Sequence, residues 1–330
     1  MMYSVIIPVY RNAEFVPSLM AEFARINEIV QRRFKIPVEF VFVVDMSPDA
    51  SHALLEQALP RAPFCSQLIL HARNFGSFAA IRTGLHAAKG DYFGIIAADL
   101  QEPPEILVSF LEPLIADTHD IAVGIREGRD DPATSRFSAN LFWGSYRRFV
   151  MKEVPPGGVD IFGCSRKVRD ELLKLEEAHS SLLAQVFWLG FRRIEIGYVR
   201  RARAYGKSAW TLRKKTAYLL DSVFAFTDLP IRILTVIGTL GTSFAILFAV
   251  VIIIARLTGQ FEVPGYAATM IAIMFFGALN MLGLGIVGSY TWRGYENTKH
   301  RPLAIIQSAR VFEGAASSSA LGPGLGKCTG

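Results

Sequence analysis

The chain has 330 residues, a hydrophobic share of 51% and a formal net charge of +6, with a mean hydropathy of +0.31. Its length allows one large α/β domain plus an appendage, and its hydropathy excludes an ordinary soluble enzyme. The charge, with a pI near 9.3, calls for an anionic partner, whether nucleic acid, anionic lipid or a phosphorylated substrate.

In chain order, Tyr3–Val9 is a short apolar run without a basic leader or a small-residue cleavage site. It reads as a first buried strand and not as a signal peptide. Val38–Asp45 and Tyr92–Ala98 are similar β-branched runs that end at polar or acidic positions, and Gln67–His71, Ile121–Ile125 and Ile194–Val199 are shorter candidate strands. Helical patterns fill the intervals at Glu14–Phe34, Ser51–Leu59, Ser77–Lys89, Pro104–Ala116 and Ser135–Met151. Strands alternating with helices, and buried on both faces, predict a parallel sheet in an α/β sandwich over residues 1–211. In such sheets ligands bind beyond the carboxyl ends of the strands. Asp45 and Asp99 sit at or just after two such ends, which points to a nucleotide-diphosphate and metal site.

A dense basic cluster follows: Arg192, Arg193, Arg200, Arg201, Arg203, Lys207, Arg213, Lys214 and Lys215. Leucines and aromatics interleave with the last of these, so 212–230 reads as an amphipathic helix lying in a membrane interface. Two uncharged runs come next, Ile233–Ala255 and Ala267–Trp292, joined by a turn-rich connection with Gly259, Pro264 and Gly265. At 1.5 Å per residue the first run spans about 34 Å, enough for a hydrocarbon core of about 30 Å. Residues 231–293 are therefore expected to form a transmembrane hairpin. Basic flanks on both outer sides place the large domain and the tail, 294–330, in the cytoplasm of a multi-pass inner-membrane protein. This juxtamembrane position favours membrane lipids and a phosphorylated substrate over nucleic acid. The small, polar stretch after Glu313 is expected to be disordered.

Several chemistries lack their motifs. No Gly-x-Gly-x-x-Gly follows the first strand, no Gly-Lys-Ser/Thr loop is present, and no Gly-x-Ser-x-Gly elbow surrounds Ser4 or Ser47. Cys65, Cys164 and Cys328 have no metal-ligand spacing and read as free thiols. His71, His86, His179 and His300 fall in no constellation and read as structural or surface residues.

An ordered series of motifs resembles family 2 glycosyltransferases, in particular the polyprenyl-phosphate branch of dolichol-phosphate mannose synthases and bactoprenol glucosyltransferases. Val5–Tyr10 resembles the opening strand, and Asp45-Met46-Ser47-Pro48-Asp49 resembles Asp-Gly-Ser-Pro-Asp. Arg73-Asn74-Phe75-Gly76, then Gly84 and Gly90-Asp91, and Asp99-Leu100-Gln101-Glu102-Pro103-Pro104-Glu105 continue the series. Val159-Asp160-Ile161-Phe162 resembles the segment with an acceptor-side aspartate, and Arg203–Trp210 resembles Arg-x-x-Gly-x-Ser-x-aromatic.

The resemblance implies a nucleotide-diphospho-sugar (GT-A-like) fold and inverting hexose transfer from a nucleotide sugar, UDP-glucose first, to a polyprenyl phosphate. It also implies Asp99 and Asp160 as catalytic residues, and nucleotide-sugar contacts from Pro8, Tyr10, Asp45, Arg73 and Asp99. Arg201, Arg203, Lys207 and Ser208 would hold the lipid phosphate, and Asp99 with Gln101 would hold Mg²⁺ or Mn²⁺. Relatives of this architecture suggest a membrane homo-oligomer. The sequence departs from the pattern at Ala97, where the family has the first aspartate of its metal cluster, and at Val44, Met46 and Phe78. The loss at Ala97 motivates an alternative, a catalytically weakened membrane scaffold or lipid-carrier binding protein. Gln185-Val186-Phe187-Trp188 lacks the Arg-Trp pair expected of a processive polysaccharide synthase.

Overall fold

The computed structural model describes residues 1–127, 144, 146–148, 150–155, 159–178, 180–201, 212–258 and 265–314. At the centre of one sheet lies β1 (Tyr3–Val9), between β2 (Val38–Val44) and β4 (Tyr92–Ile95), with β3 (Cys65–His71) beyond β2. These four strands are parallel, with Pro8 opposite Val43 and Ile6 opposite Ile95. Every residue of β2 is buried, which accounts for its apolar run from Phe40 to Val44. Alternate side chains feed two separate cores. Phe40 and Phe42 pack under α1 (Val16–Phe34), with the Phe40 and Phe23 rings stacked at 4.9 Å. Val41 and Val43 pack with Ile6 under α3 (Ser77–Ala87). A Cβ added at Gly84 would lie 2.4 Å from the Ile6 Cγ2. That close approach of α3 to the sheet explains why this position is a glycine.

The full strand order is β7-β5-β6-β4-β1-β2-β3-β8, with β5 (Ile121–Arg126), β6 (Val159–Ser165), β7 (Arg193–Tyr198) and β8 (Ile306–Phe312). The expected α/β sandwich is present, with one correction: the sheet is mixed and not parallel. Strand β6 runs antiparallel to both β4 and β5, and β8 runs antiparallel to β3. Neither strand was among the expected elements. The remaining helices of the domain are α2 (Ser51–Ala58), α4 (Ile106–Ile115), α5 (Arg166–Leu173) and α6 (Leu182–Trp188). Most of the helix expected at Ser135–Met151 lies outside the described residues. Cys164 is a buried free thiol, but Cys65 is disulfide-bonded, which corrects the expectation of free thiols there. Cys328 lies outside the described residues.

After the domain come α7 (Leu212–Phe226), α8 (Leu229–Leu257) and α9 (Tyr266–Thr298). Leu229–Val251 and Ala272–Thr298 are long and apolar enough to cross a membrane, and only 0% and 6% of their most apolar windows are buried within the protein. Their apolar side chains thus face outward, unlike those of core helices. From α9 the chain returns to the sheet, where β8 pairs with β3 from Ser66–Phe312 to His71–Ile306.

Candidate active site

The carboxyl ends of β1, β2 and β4 are adjacent, and the loops leaving them carry Tyr10, Asp45, Asp99 and Gln101. Asp45 follows β2 directly, and its backbone N–H donates to the Val9 carbonyl (3.0 Å). Its carboxylate is buried and accepts hydrogen bonds from His71 Nδ1 (2.8 Å), the Phe75 amide (2.8 Å) and the Gly76 amide (2.7 Å). The Asn74 side-chain amide donates to the Asp45 carbonyl (3.2 Å). Burial alone would raise the Asp45 pKa. The His71 hydrogen bond and the two backbone amides outweigh it and hold the carboxyl below its ordinary range. Gly76 reaches Asp45 with φ +97°, a left-handed conformation that favours glycine, and it opens α3. The motif Arg73-Asn74-Phe75-Gly76 is thus a loop wrapped around one carboxylate. Arg73 stacks over the Phe75 ring at 4.2 Å and is exposed. His71, read above as belonging to no constellation, is the buried partner of Asp45, and its Nε2 lies 3.0 Å from Thr83 Oγ1.

Asp49 joins the loops after β1 and β2. Its carboxylate accepts from the Ala13 amide (2.9 Å), Ser47 Oγ (2.6 Å) and Ser51 Oγ (2.6 Å), while Ser47 Oγ accepts from the Arg11 amide (2.7 Å). The Tyr10 amide donates to Asn12 Oδ1 (2.9 Å). Pro8 is the penultimate residue of β1, opposite Val43, and Tyr10 is half-buried at the mouth of these loops. Between Asp45 and Ser47, Met46 stands where the family pattern has a glycine, and its φ is +46°. The left-handed region costs a non-glycine residue about 1–2 kcal/mol; ordering a glycine costs about 0.5–1 kcal/mol. Met46 is 46% exposed, so little packing is lost on truncation. Met46→Gly is therefore expected to raise the thermal midpoint by about 1–4 °C. A lowered midpoint would show that the side chain packs to more effect than its exposure implies.

Beyond β4, Asp99 is half-buried, and its Oδ1 accepts from the Gln101 amide at 3.3 Å. Residues 200 and 201, just past β7, fold onto this loop. The Arg201 amide donates to the Gln101 carbonyl (2.8 Å), and Arg200 Nη2 donates to Gln101 Oε1 (2.7 Å). Arg200 also lies 3.7 Å from buried Glu102, and the Arg201 guanidinium lies 3.6 Å from Glu105. Arg200 was counted above only as one of a basic cluster. Its place at the end of a candidate strand was the signal that could have set it apart. Asp160 is the second residue of β6, and Val159 pairs with Ile125 at the end of β5. Because β6 runs in reverse, its beginning lies at the same edge of the sheet as the ends of the parallel strands. Arg203, Lys207 and Ser208 lie outside the described residues.

Among the described residues no group of three His, Cys, Asp or Glu side chains could hold a metal ion. At the start of the loop the Asp99 carboxylate lies beside half-buried Ala97, the Gln101 amide oxygen accepts from Arg200, and Glu102 and Glu105 are turned to Arg200 and Arg201. That donor set is too small for a resident hard cation, which takes six or more oxygens. It fits a cation that arrives with a diphosphate supplying further oxygens.

The family model described as glycosyl transferase family 2 matches residues 4–175. A protein named as an uncharacterized glycosyltransferase of Synechocystis sp. is 30% identical over 306 residues, 92% of this chain and 94% of that one. The bactoprenol glucosyl transferase of Shigella phage SfV is 28% identical over 311 residues, 94% of this chain and 99% of that one. Among solved structures, a mannosyltransferase from Pyrobaculum calidifontis in complex with GDP-Man and Mn²⁺ is 19% identical with a TM-score of 0.46, covering 89% of this chain and 84% of that one. The sequence matches cover the β1–β4 half of the sheet, both aspartate loops and, in the relatives, the apolar hairpin as well. The chain belongs to glycosyl transferase family 2.

Proposed function

We propose that the protein transfers a hexose from a nucleotide sugar, with UDP-glucose as first candidate, to the phosphate of a polyprenyl phosphate at the cytoplasmic membrane face. The observation that carries this reading is the seating of Arg200 and Arg201 on the Asp99–Glu105 loop. Both residues contact the loop expected to bind the donor diphosphate, and in sequence they shortly precede 203–208, expected to bind the lipid phosphate. The relatives named bactoprenol glucosyl transferases support the acceptor class and the choice of glucose.

In this reading a phosphate oxygen of the acceptor attacks the anomeric carbon as the bond to the nucleoside diphosphate breaks. The leaving diphosphate takes the bonding electron pair, and in-line attack inverts the anomeric configuration. The attacking oxygen is already anionic near neutral pH, so positioning and charge neutralisation matter more than a strong base. Pro8, Tyr10 and Arg73 line the nucleotide side. Asp45, with both carboxylate oxygens engaged inside the protein, holds the 73–76 loop in place. Asp160 serves the acceptor side, together with Arg201, Arg203, Lys207 and Ser208. Mg²⁺ or Mn²⁺, held by Asp99 with Gln101 as a neutral neighbour, would neutralise charge on the departing diphosphate. Helices α8 and α9 cross the membrane, and α7 lies in its interface. The return of β8 to β3 supports an even number of crossings, because domain and tail must share one side.

An arginine that grips phosphate contributes roughly 1.5–3 kcal/mol, so Arg203→Ala is expected to raise the KM for polyprenyl phosphate about tenfold or more. The KM for the nucleotide sugar stays near wild type. An unchanged acceptor dependence would reduce Arg203 to an electrostatic membrane anchor.

A further inference from the structure

Arg200 lies just past β7, and its guanidinium reaches the loop that follows β4. Its Nη2 donates to the Gln101 side-chain oxygen at 2.7 Å, the oxygen named above as a neutral neighbour of a cation held by Asp99. The Asp99 carboxylate belongs to the same turn, where it accepts from the Gln101 amide at 3.3 Å. Arg200 Nε lies 3.7 Å from the Glu102 carboxylate, which is 2% exposed, while the Arg200 side chain keeps 32% exposure. Glu105, further along the loop, is held by Arg25 at 2.5 Å and by Arg201 at 3.6 Å. The backbone is fastened separately, by the Arg201 amide donating to the Gln101 carbonyl at 2.8 Å. The guanidinium can thus leave the Gln101 side chain while the end of β7 and the loop stay joined.

A guanidinium and a divalent cation compete for that oxygen. Both are positive, and on one acceptor they would stand close enough to repel each other strongly. We propose that Arg200 closes the cation site against Mg²⁺ or Mn²⁺ until the donor's diphosphate draws its guanidinium off Gln101. This rests on the metal-assisted transfer proposed above. The exchange is favourable because a diphosphate offers anionic oxygens in the forked geometry that arginine matches, whereas Gln101 offers one neutral oxygen. Once the guanidinium has turned to the diphosphate, Gln101 is released toward the cation, and the added negative charge offsets that of Arg200. With alanine at 97, the site has little charge of its own to hold a cation against this arginine.

The test measures Mn²⁺ binding to the full-length protein in lipid nanodiscs, with and without UDP, by the paramagnetic resonance of free Mn²⁺. The wild type is expected to bind Mn²⁺ weakly alone and tightly with UDP. Arg200→Met keeps an apolar stem and removes the charge. Its Mn²⁺ affinity without UDP is expected to rise about tenfold or more, while its UDP affinity without Mn²⁺, read by calorimetry, falls about tenfold. The opposite signs separate this role from a structural one, because a loop merely disordered by the substitution would lose both affinities. Arg200→Lys keeps the charge and should hold Mn²⁺ binding near wild type while recovering part of the UDP affinity. An Mn²⁺ affinity that is unchanged or lower in Arg200→Met, or an unchanged UDP affinity, would overturn the proposal. Arg200→Gln carries the same comparison if Arg200→Met fails to fold. A wild type that binds UDP but takes up no Mn²⁺ with or without it would refute the metal-assisted reading itself, a separate outcome.

Discussion

Asp99→Asn is expected to lower kcat for sugar transfer by at least about a hundredfold, the scale of losing an electrostatic stabiliser of a developing negative charge. Asp99 is the acidic side chain that remains where the family pattern has a pair, because position 97 is alanine. A neutral amide of the same shape cannot attract a hard cation as the carboxylate does. Since Asp99 is half-buried in a turn and outside both cores, the thermal midpoint should be unchanged. Calorimetry of the wild type should show Mg²⁺ or Mn²⁺ binding appreciably only in the presence of the nucleotide sugar, and Asp99→Asn should lose that binding. Ala97→Asp should tighten it. Full activity in a chelator, with Asp99→Asn also active, would place the charge stabilisation on arginines, with Arg200 the first to examine.

Asp45→Asn should destabilise the full-length protein by about 1–3 kcal/mol, the cost of leaving a buried hydrogen-bonding group unsatisfied, and lower its thermal midpoint by about 5 °C. Three donors converge on the Asp45 carboxylate, and an amide must turn its own N–H₂ toward at least one of them. The pH dependence has a definite sign. The folded-state pKa of Asp45 lies below the unfolded value, so its contribution is complete above the ordinary carboxylate range and is lost as pH falls through the folded pKa. Wild-type stability should therefore fall faster than that of Asp45→Asn across the acid range. Parallel curves would show that the network contributes through shape and not through charge. Nucleotide-sugar binding should weaken in the same variant, because the 73–76 loop is folded on this carboxylate.

The central sheet was legible because β1, β2 and the start of β4 are apolar on both faces except at Ser4 and Glu39, and the apolar stretch then states the strand directly. Helix α1 was legible through its period. Strand β6 was not, because Val159–Ser165 mixes Asp, Gly, Cys and Ser among only a few large apolar residues. It was singled out for Asp160 while its reversed direction went unseen. Strand β8 was invisible for a different reason. Its side chains are almost all exposed, so no burial pattern marks it, and its partner lies far away in sequence. In the site, Asp45 and Asp99 were found from their place after strands. The pairing of His71 with Asp45 depends on two strands lying side by side, and the hydrogen bond of Arg200 to Gln101 joins residues that follow strands three places apart in the sheet order. No local pattern encodes either contact.

The central claim is that this chain moves a hexose from a nucleotide to a lipid phosphate. Its most direct test incubates the purified full-length protein with polyprenyl phosphate and, separately, UDP-glucose, GDP-mannose, UDP-galactose or an aminosugar nucleotide, and detects the lipid by mass. A polyprenyl phosphate heavier by one hexose, formed from UDP-glucose and joined with inverted anomeric configuration, is the predicted result. Lipid unchanged in mass with every donor, while the protein still binds polyprenyl phosphate, would contradict the account and leave a lipid-carrier binding protein in its place.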